Sequence, residues 1–137
     1  MTKVTALDHI AIATDNLQES LAFYREALGL SVSHTEELPD RGIRVAFLPI
    51  GDTRIELIEP MRDDSEVSRF LQKRGGGIHH LAFSTSDVDA HAAELKEKGV
   101  RLTGEVSMGA HDCKVAFIHP KSSKGTLIEI STSQHIA

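Results

Sequence analysis

The stretch LDHIAIATDNLQESLAFYREALGL, residues 7–30, is repeated in outline as IHHLAFSTSDVDAHAAELKEKGV, residues 78–100. Each copy opens with a histidine and a run of apolar residues that is typical of a β-strand. A polar turn follows, and then a segment whose apolar residues recur at helical spacing. This internal similarity predicts a fold built from two copies of one structural unit.

The helical segments have recognisable starts and ends. Asp15 with Gln18 has the spacing of a capping box, and Ser86 with Asp89 imitates it. A glycine follows each segment at the point where the helix should stop. The apolar positions are Leu17, Leu21, Tyr24 and Leu28 in the first helix and Val88, Ala92 and Leu95 in the second.

Short strands are predicted after each helix. They are GIRVAFLPI (42–50) and TRIELIEP (53–60) in the first copy, then CKVAFIHP (113–120) and TLIEIS (126–131) in the second, with a weaker run over 100–106. The intervening residues 61–77 predict a short helix at about 63–74, capped by Asp63, Asp64 or Ser65 and ended by three glycines. The sequence therefore predicts an α+β fold of two βαβββ modules, at about 5–60 and 77–133, within one domain spanning 1–137.

The composition fits one compact domain. The chain has 137 residues, 40% of them hydrophobic, and a formal net charge of −5. No basic run predicts nucleic-acid binding, and no apolar run predicts a membrane span or a leader peptide. Cys113 is the only cysteine, which excludes an internal disulfide and fits a cytoplasmic protein.

Aligning the two copies identifies candidate metal ligands. His9 matches His80, so His79 points to the other face of its strand, where packing is the simple expectation. Glu56 matches Glu129. If the modules are related by a pseudo-twofold axis, these four side chains converge on one point. Two imidazoles and two carboxylates suit Mn, Co, Ni, Zn or Fe(II) rather than Ca or Mg.

The alternative is that both glutamates face solvent. Ile55 and Leu57 flank Glu56, and Ile128 and Ile130 flank Glu129, in a plain alternating pattern. The agreement of four residues in type and order across the repeat favours the metal site over this alternative.

The chain resembles the vicinal oxygen chelate superfamily and, within it, the methylmalonyl-CoA epimerase family. The stretches that carry this resemblance span nearly the whole chain in order. They are LDHIAIAT (7–14), FYREALGL (23–30), IELIEPMRDDSEVSRFLQKRGGGIHHLAF (55–83), KGVRL (98–102) and VAFIHPKSSKGTLIEI (115–130).

The resemblance implies an open, curved barrel of mixed β-sheet around a divalent metal, usually in a homodimer. It implies epimerisation of (2R)- and (2S)-methylmalonyl-CoA in propionyl-CoA metabolism. The family's metal ligands carry over onto His9, His80 and Glu129, and Glu56 falls on a fourth ligand position that varies between Glu and Gln.

The reaction needs an acid and a base on opposite faces of the α-carbon. We expect Glu129 to be one of them. Some members carry a separate glutamate for the other, but the matching position here is Val45, within ELPDRGIRVAF (37–47). Glu56 is therefore the candidate for the second acid or base.

A basic loop is the candidate for binding the CoA phosphates. The segment HPKSSKG (119–125) supplies Lys121 and Lys124 just before the strand of Glu129. A plain solvated turn is the alternative. His111, in a glycine-containing loop, is a further candidate for contact with the substrate, although a turn histidine is the simpler interpretation.

Other functions remain open on the sequence. His9, His80 and Glu129 alone would form the iron triad of an extradiol dioxygenase, but a fourth ligand argues against it. A glyoxalase I-like lyase or a thiol transferase would share the metal site without the two specific segments around residues 56–65 and 119–125. A metal-free small-molecule-binding protein would have no need for two buried carboxylates.

Overall fold

The computed structural model describes residues 2–132. Within residues 2–132 there are eight strands and three α-helices. In order these are β1 (Val4–Ala13), α1 (Leu17–Ala22), β2 (His34–Leu38), β3 (Ile43–Ile50), β4 (Thr53–Pro60), α2 (Glu66–Arg74), β5 (Gly77–Thr85), α3 (Val88–Glu97), β6 (Ser107–Met108), β7 (Lys114–Ile118) and β8 (Ile128–Ser131).

The strands form one mixed sheet in the order β2-β3-β4-β1-β5-β8-β7-β6. Strands β5 and β8 are parallel, whereas β2–β3, β3–β4, β6–β7 and β7–β8 are antiparallel. The predicted α+β class with a mixed sheet is confirmed.

The chain divides into two compact units. Within the described residues, the first unit contains residues 2–9 and 80–132, and the second is Ile10–His79. The division falls inside β1 and β5, directly after His9 and directly before His80. The units therefore differ from the sequence modules, each of which was expected to contain its own complete first strand.

In the second unit, helix α1 packs on one face of β3 and β4. Its Leu17 and Leu21 contact a core formed by Ala46, Leu48 and Leu57. In a strand, residues at alternate positions share a face, so Val45, Phe47 and Glu56 lie on the opposite face from this core.

In the first unit, helix α3 packs on β7 and β8. Val88 contacts Ala116 and Ile130, which are each 1% exposed. The partly buried Leu95, Val106 and Ile118 complete this core. The apolar face predicted for the second helix is thus the face that packs against the sheet.

The helix caps predicted for α1 and α3 are each wrong by one residue. Asn16, not Asp15, caps α1 by accepting a hydrogen bond from the Glu19 amide, and Asp87, not Ser86, caps α3 through the Ala90 amide. In each case the cap is the residue directly before the first buried apolar side chain.

The first helical segment also changes form along its length. Its α-helix ends at Ala22 and continues as a π-helical turn over Phe23–Ala27. Because this turn shifts the register of the apolar face, Leu28 is 55% exposed and does not join the core that was expected for it.

The connecting helix α2 starts at Glu66, three residues later than predicted. Ser65 is its cap, as one of the three candidates, and its hydroxyl accepts a hydrogen bond from the Ser68 amide. Gly75 ends it in the left-handed conformation, with φ of 76°.

No helix in the described part of the chain is long and apolar enough to cross a membrane.

Two strand predictions need correction. Strand β2, with the sequence HTEEL, was not predicted because four of its five residues are polar. The weak run over 100–106 forms only a single bridge, between Leu102 and Ile118, and the strand follows it at Ser107–Met108.

Candidate metal centre

Three of the predicted ligands meet inside the first unit. His9, His80 and Glu129 are 5%, 4% and 7% exposed. The Nε2 atom of His80 lies 3.1 Å from Glu129 Oε1, and Nε2 of His9 lies 3.8 Å from the same oxygen. The two imidazole rings are 5.7 Å apart and nearly perpendicular.

The strand register explains why these side chains meet. Glu129 on β8 pairs with Ala82 on β5 and with Phe117 on β7. His80 lies two residues before Ala82 and so projects from the same face. Ala82 leaves room for the longer side chains, while the Phe117 ring packs edge-on against His80 at 5.3 Å.

The solvent-facing alternative for Glu129 is wrong. Its neighbour Ile130 packs into the core under α3, so Glu129 projects from the opposite face of β8. Glu129 is also only 7% exposed, so its side chain is largely shielded from water. A carboxylate buried in this way needs partners of opposite charge or strong hydrogen-bond donors.

Asp8 is a part of the site that the sequence reasoning missed. Its carboxylate Oδ2 lies 2.6 Å from Nδ1 of His9, and Asp8 is 1% exposed. The available signal was a charged residue inside an apolar strand, directly before a candidate ligand. A carboxylate on the far nitrogen of a histidine is the usual outer partner of a metal-ligating imidazole.

The donor set fits a divalent transition metal. Two donors bound to one ion at about 2.1 Å lie about 3.0–3.4 Å apart at octahedral or tetrahedral angles. The separations of 3.1 and 3.8 Å from Glu129 Oε1 are close to this range. Imidazole nitrogen with carboxylate oxygen is a ligand combination of Zn, Mn, Co, Ni or Fe.

The fourth predicted ligand, Glu56, lies on β4 in the second unit. It is 6% exposed and pairs in register with Phe47 on β3. Its neighbour Leu57 belongs to the core under α1, so Glu56 projects from the other face of the sheet. The solvent-facing alternative is therefore wrong for this glutamate as well.

The ring of Phe47 also contacts the buried guanidinium group of Arg54 on that face. The guanidinium carbon of Arg54 lies 4.3 Å from the centre of the Phe47 ring, and Arg54 is 7% exposed. The same face contains Val45, which is fully buried at the position where the sequence resemblance places a glutamate in some relatives.

His79 has the packing role expected for it. Its side chain is 7% exposed and meets the Phe70 ring edge-on at 4.8 Å. Its Nε2 lies 3.7 Å from Glu66 Oε1. His79 thus joins β5 to helix α2 within the second unit.

The basic loop between β7 and β8 is exposed at Lys121 and Lys124. The backbone amide of Lys121 donates a hydrogen bond to Nδ1 of His119 at 3.0 Å. Partial burial, together with the positive charges of Arg101 and Lys121, lowers the pKa of His119. The loop therefore concentrates cationic groups directly before the strand of Glu129.

His111, the remaining candidate, lies in the loop before β7. His111 has a φ of 59° and Asp112 one of 54°, a left-handed conformation that is uncommon for residues other than glycine. The Sγ of Cys113 lies 3.7 Å from the His111 carbonyl oxygen. Lys114 is held by Asp89 at 2.7 Å, and this hydrogen bond raises the pKa of its ammonium group.

Comparison with protein families gives one clear match. The Glyoxalase/Bleomycin resistance protein/Dioxygenase superfamily matches residues 8–117. The matched region contains both histidines of the site and Glu56, and it ends before Glu129.

Characterised relatives cover most of the chain. It is 41% identical to the mitochondrial methylmalonyl-CoA epimerase of Homo sapiens, over 90% of this chain and 72% of that protein. It is 40% identical to the ethylmalonyl-CoA/methylmalonyl-CoA epimerase of Cereibacter sphaeroides, over 90% and 95%. A solved methylmalonyl-CoA epimerase in complex with methylmalonyl-CoA and ammonium superposes with a TM-score of 0.93, at 41% identity over 98% of each chain.

Proposed function

The chain belongs to the Glyoxalase/Bleomycin resistance protein/Dioxygenase superfamily, and from this premise we propose that it interconverts (2R)- and (2S)-methylmalonyl-CoA. It is an enzyme of the racemase and epimerase class. The observation that carries the proposal is identity of about 40% to methylmalonyl-CoA epimerases over nine tenths of the chain, together with the buried His9, His80 and Glu129.

We propose that His9, His80, Glu129 and Glu56 hold a divalent metal ion. Support comes from the burial of all four side chains and from the donor types, since His9, Glu56 and His80 are a combination that can hold such an ion. When bound, a divalent cation would stabilise the negative charge that develops on the substrate oxygens as the α-proton leaves.

The reaction removes one proton from the α-carbon and returns one to the opposite face. The α-carbon of the substrate lies between a thioester carbonyl and a carboxylate, so the electrons of its C–H bond move into the carbonyl as the proton leaves. The resulting enolate is planar, and its reprotonation on the opposite face gives the other epimer. The protein must therefore accept a proton on one face and donate one on the other.

We propose Glu129 and Glu56 as these two groups. Both are largely buried carboxylates, at 7% and 6% exposed, and a carboxylate can accept or donate a proton at a bound substrate. Val45 cannot exchange protons, which leaves Glu56 as the candidate that replaces the glutamate found there in some relatives.

We also propose that the loop of residues 119–125 binds the CoA phosphates, through Lys121 and Lys124. The exposed ammonium groups of Lys121 and Lys124, with Arg101 acting on the same loop at His119, provide local positive charge on a chain whose net charge is −5. His111 is proposed as a further substrate contact because its left-handed backbone is a conformation that often marks functional loops.

The remaining proposals concern the protein as a whole. We propose that residues 1–137 act as one domain, in a homodimer located in the cytoplasm. The family resemblance supports the single domain and the homodimer. The cytoplasmic location is supported by the one cysteine, Cys113, which is partly buried and forms no disulfide. Light scattering on the purified protein would measure the oligomeric state.

A substrate panel tests the function against its alternatives. Metal-loaded protein is incubated separately with one methylmalonyl-CoA epimer, one ethylmalonyl-CoA epimer, the hemithioacetal of glutathione and methylglyoxal, and a catechol in air. We expect inversion of the malonyl thioesters alone. Turnover of the hemithioacetal or oxygen uptake with the catechol, without inversion, would overturn the proposal in favour of lyase or dioxygenase chemistry.

A further inference from the structure

Asp8 and His79 occupy matching positions in the two copies of the repeat. Asp8 directly precedes His9, and His79 directly precedes His80. The repeat conserves the ligand and changes its neighbour from a carboxylate to an imidazole. The residue directly before each of the two histidines therefore differs in its chemistry.

The neighbour of His9 is buried and close. Asp8 is 1% exposed, and its Oδ2 is 2.6 Å from Nδ1 of His9. An ionised carboxylate can only accept a hydrogen bond, so an ionised Asp8 requires the shared proton to be on His9 Nδ1. In the neutral imidazole this leaves the lone pair on Nε2, the nitrogen that faces Glu129.

The neighbour of His80 is used differently. The His79 ring packs on Phe70, and its Nε2 lies 3.7 Å from Glu66. His80 itself is held from the side by the Phe117 ring. Aromatic packing by Phe117 thus contributes to the position of the His80 ring, and a hydrogen bond with Asp8 contributes to that of His9.

We propose that Asp8 is a positioning residue that fixes the tautomer and orientation of His9 and so strengthens the binding of a metal ion through His9 Nε2. This inference rests on the proposed metal site. A carboxylate on the far nitrogen increases the basicity of the ligating nitrogen, and losing such a partner typically weakens metal binding by about 10–100-fold.

The test compares Asp8→Asn and Asp8→Ala with His79→Gln as the matched control. Asparagine keeps an acceptor but loses the charge, and alanine loses both. Each apo protein is titrated with Co(II), and the visible absorption of the bound ion reports its affinity. We expect about 10–100-fold weaker binding in both Asp8 variants, larger for alanine, and a change of less than about twofold in His79→Gln. Affinities within twofold of wild type for folded Asp8 variants would overturn the proposal.

A second measurement needs neither a variant nor turnover. The ¹⁵N shifts of the His9 ring in the apo wild-type protein show which nitrogen carries the proton. We expect the proton on Nδ1, and a proton on Nε2 would contradict the proposal. Because neither experiment uses a substrate, failure of the epimerase assignment would show separately, as metal binding that depends on Asp8 without inversion of methylmalonyl-CoA.

Discussion

Glu129 and Glu56 are buried carboxylates in strands whose neighbouring side chains are isoleucine and leucine. At the scale of single residues, burial of a carboxylate is unfavourable unless another group compensates for the lost hydration. For Glu129 the structure supplies two imidazoles. The proposed chemistry assigns these two glutamates to opposite faces of the substrate, and this can be tested separately for each.

Substituting Glu56 with glutamine removes its ability to accept a proton and keeps its shape. We expect Glu56→Gln to retain bound metal and to lose epimerisation, because only Glu129 still exchanges protons. One epimer should then exchange its α-proton with solvent and the other should not, as measured by NMR in D2O. The exposed Glu97→Gln serves as control. Turnover of Glu56→Gln equal to that of the control would refute the catalytic role.

His119 reports on the charge of the basic loop. Its pKa is lowered by burial and by the positive charges of Arg101 and Lys121, which favour the neutral imidazole. Removing one of these charges makes the imidazolium easier to form. We therefore expect Arg101→Gln to raise the pKa of His119, as followed by NMR titration, with the exposed Lys73→Gln as control. An unchanged titration would contradict this arrangement of charges.

At the scale of elements, the two helices that follow the repeated strands begin in the same way. Asn16 and Asp87 are extended residues whose side chains accept a hydrogen bond from the amide three residues on. The sequence pattern placed each cap one residue earlier, because Asp15 and Ser86 are equally good capping types at a plausible spacing. The cap is the residue directly before the first apolar side chain that packs on the sheet. Which apolar side chain that is depends on the position of the helix on the sheet, which the local sequence does not show.

This difference gives a matched pair of variants for each helix. We expect Asn16→Ala and Asp87→Ala each to lower the free energy of unfolding by about 1 kcal/mol, since an amide at the helix start loses its partner. The exposed Asp15→Ala and Ser86→Ala should change it by less than about 0.5 kcal/mol. Urea unfolding curves provide the comparison. A larger effect at Asp15 or Ser86 than at its neighbour would contradict the observed caps.

At the scale of the whole molecule, a bound metal ion links binding to stability. An ion that binds only the folded protein stabilises it by about 2.7 kcal/mol when its concentration is 100 times the dissociation constant. We expect Co(II) to raise the melting temperature by several degrees, EDTA to reverse this, and His80→Gln to abolish it. Mg²⁺ should have little effect, since it prefers oxygen ligands. Equal shifts for wild type and His80→Gln would contradict the assigned ligands.

Much of the fold could be predicted from the repeat. The histidine-led strands, the two helices after them and the connecting helix all follow from periodicity and turn residues. Strand β2 could not be predicted in this way, because its sequence HTEEL has no alternation of apolar and polar residues. It is recognised as a strand by its antiparallel pairing with β3, which the sequence of β2 does not reveal. The π-helical turn at Phe23–Ala27 was equally inaccessible, since its sequence continues the helical spacing.

The candidate metal ligands could be predicted from the sequence, but the residues that position them could not. Matching positions across the repeat identified His9, His80 and Glu129, and the structure brings these three together. Asp8 was not predicted, because adjacent residues in a strand are expected to point to opposite faces. In the structure its carboxylate nevertheless reaches Nδ1 of the adjacent His9. Phe117 and Ala82 were hidden because their roles depend on strand register.

The most direct test of the central claim follows the α-proton itself. One epimer of methylmalonyl-CoA is incubated in D2O with Co(II)-loaded wild-type protein, and NMR follows the α-carbon beside an EDTA-treated control. We predict that deuterium enters at the α-carbon and that the other epimer appears, in both cases only with metal. A folded, metal-loaded protein that leaves the α-proton in place would contradict the account.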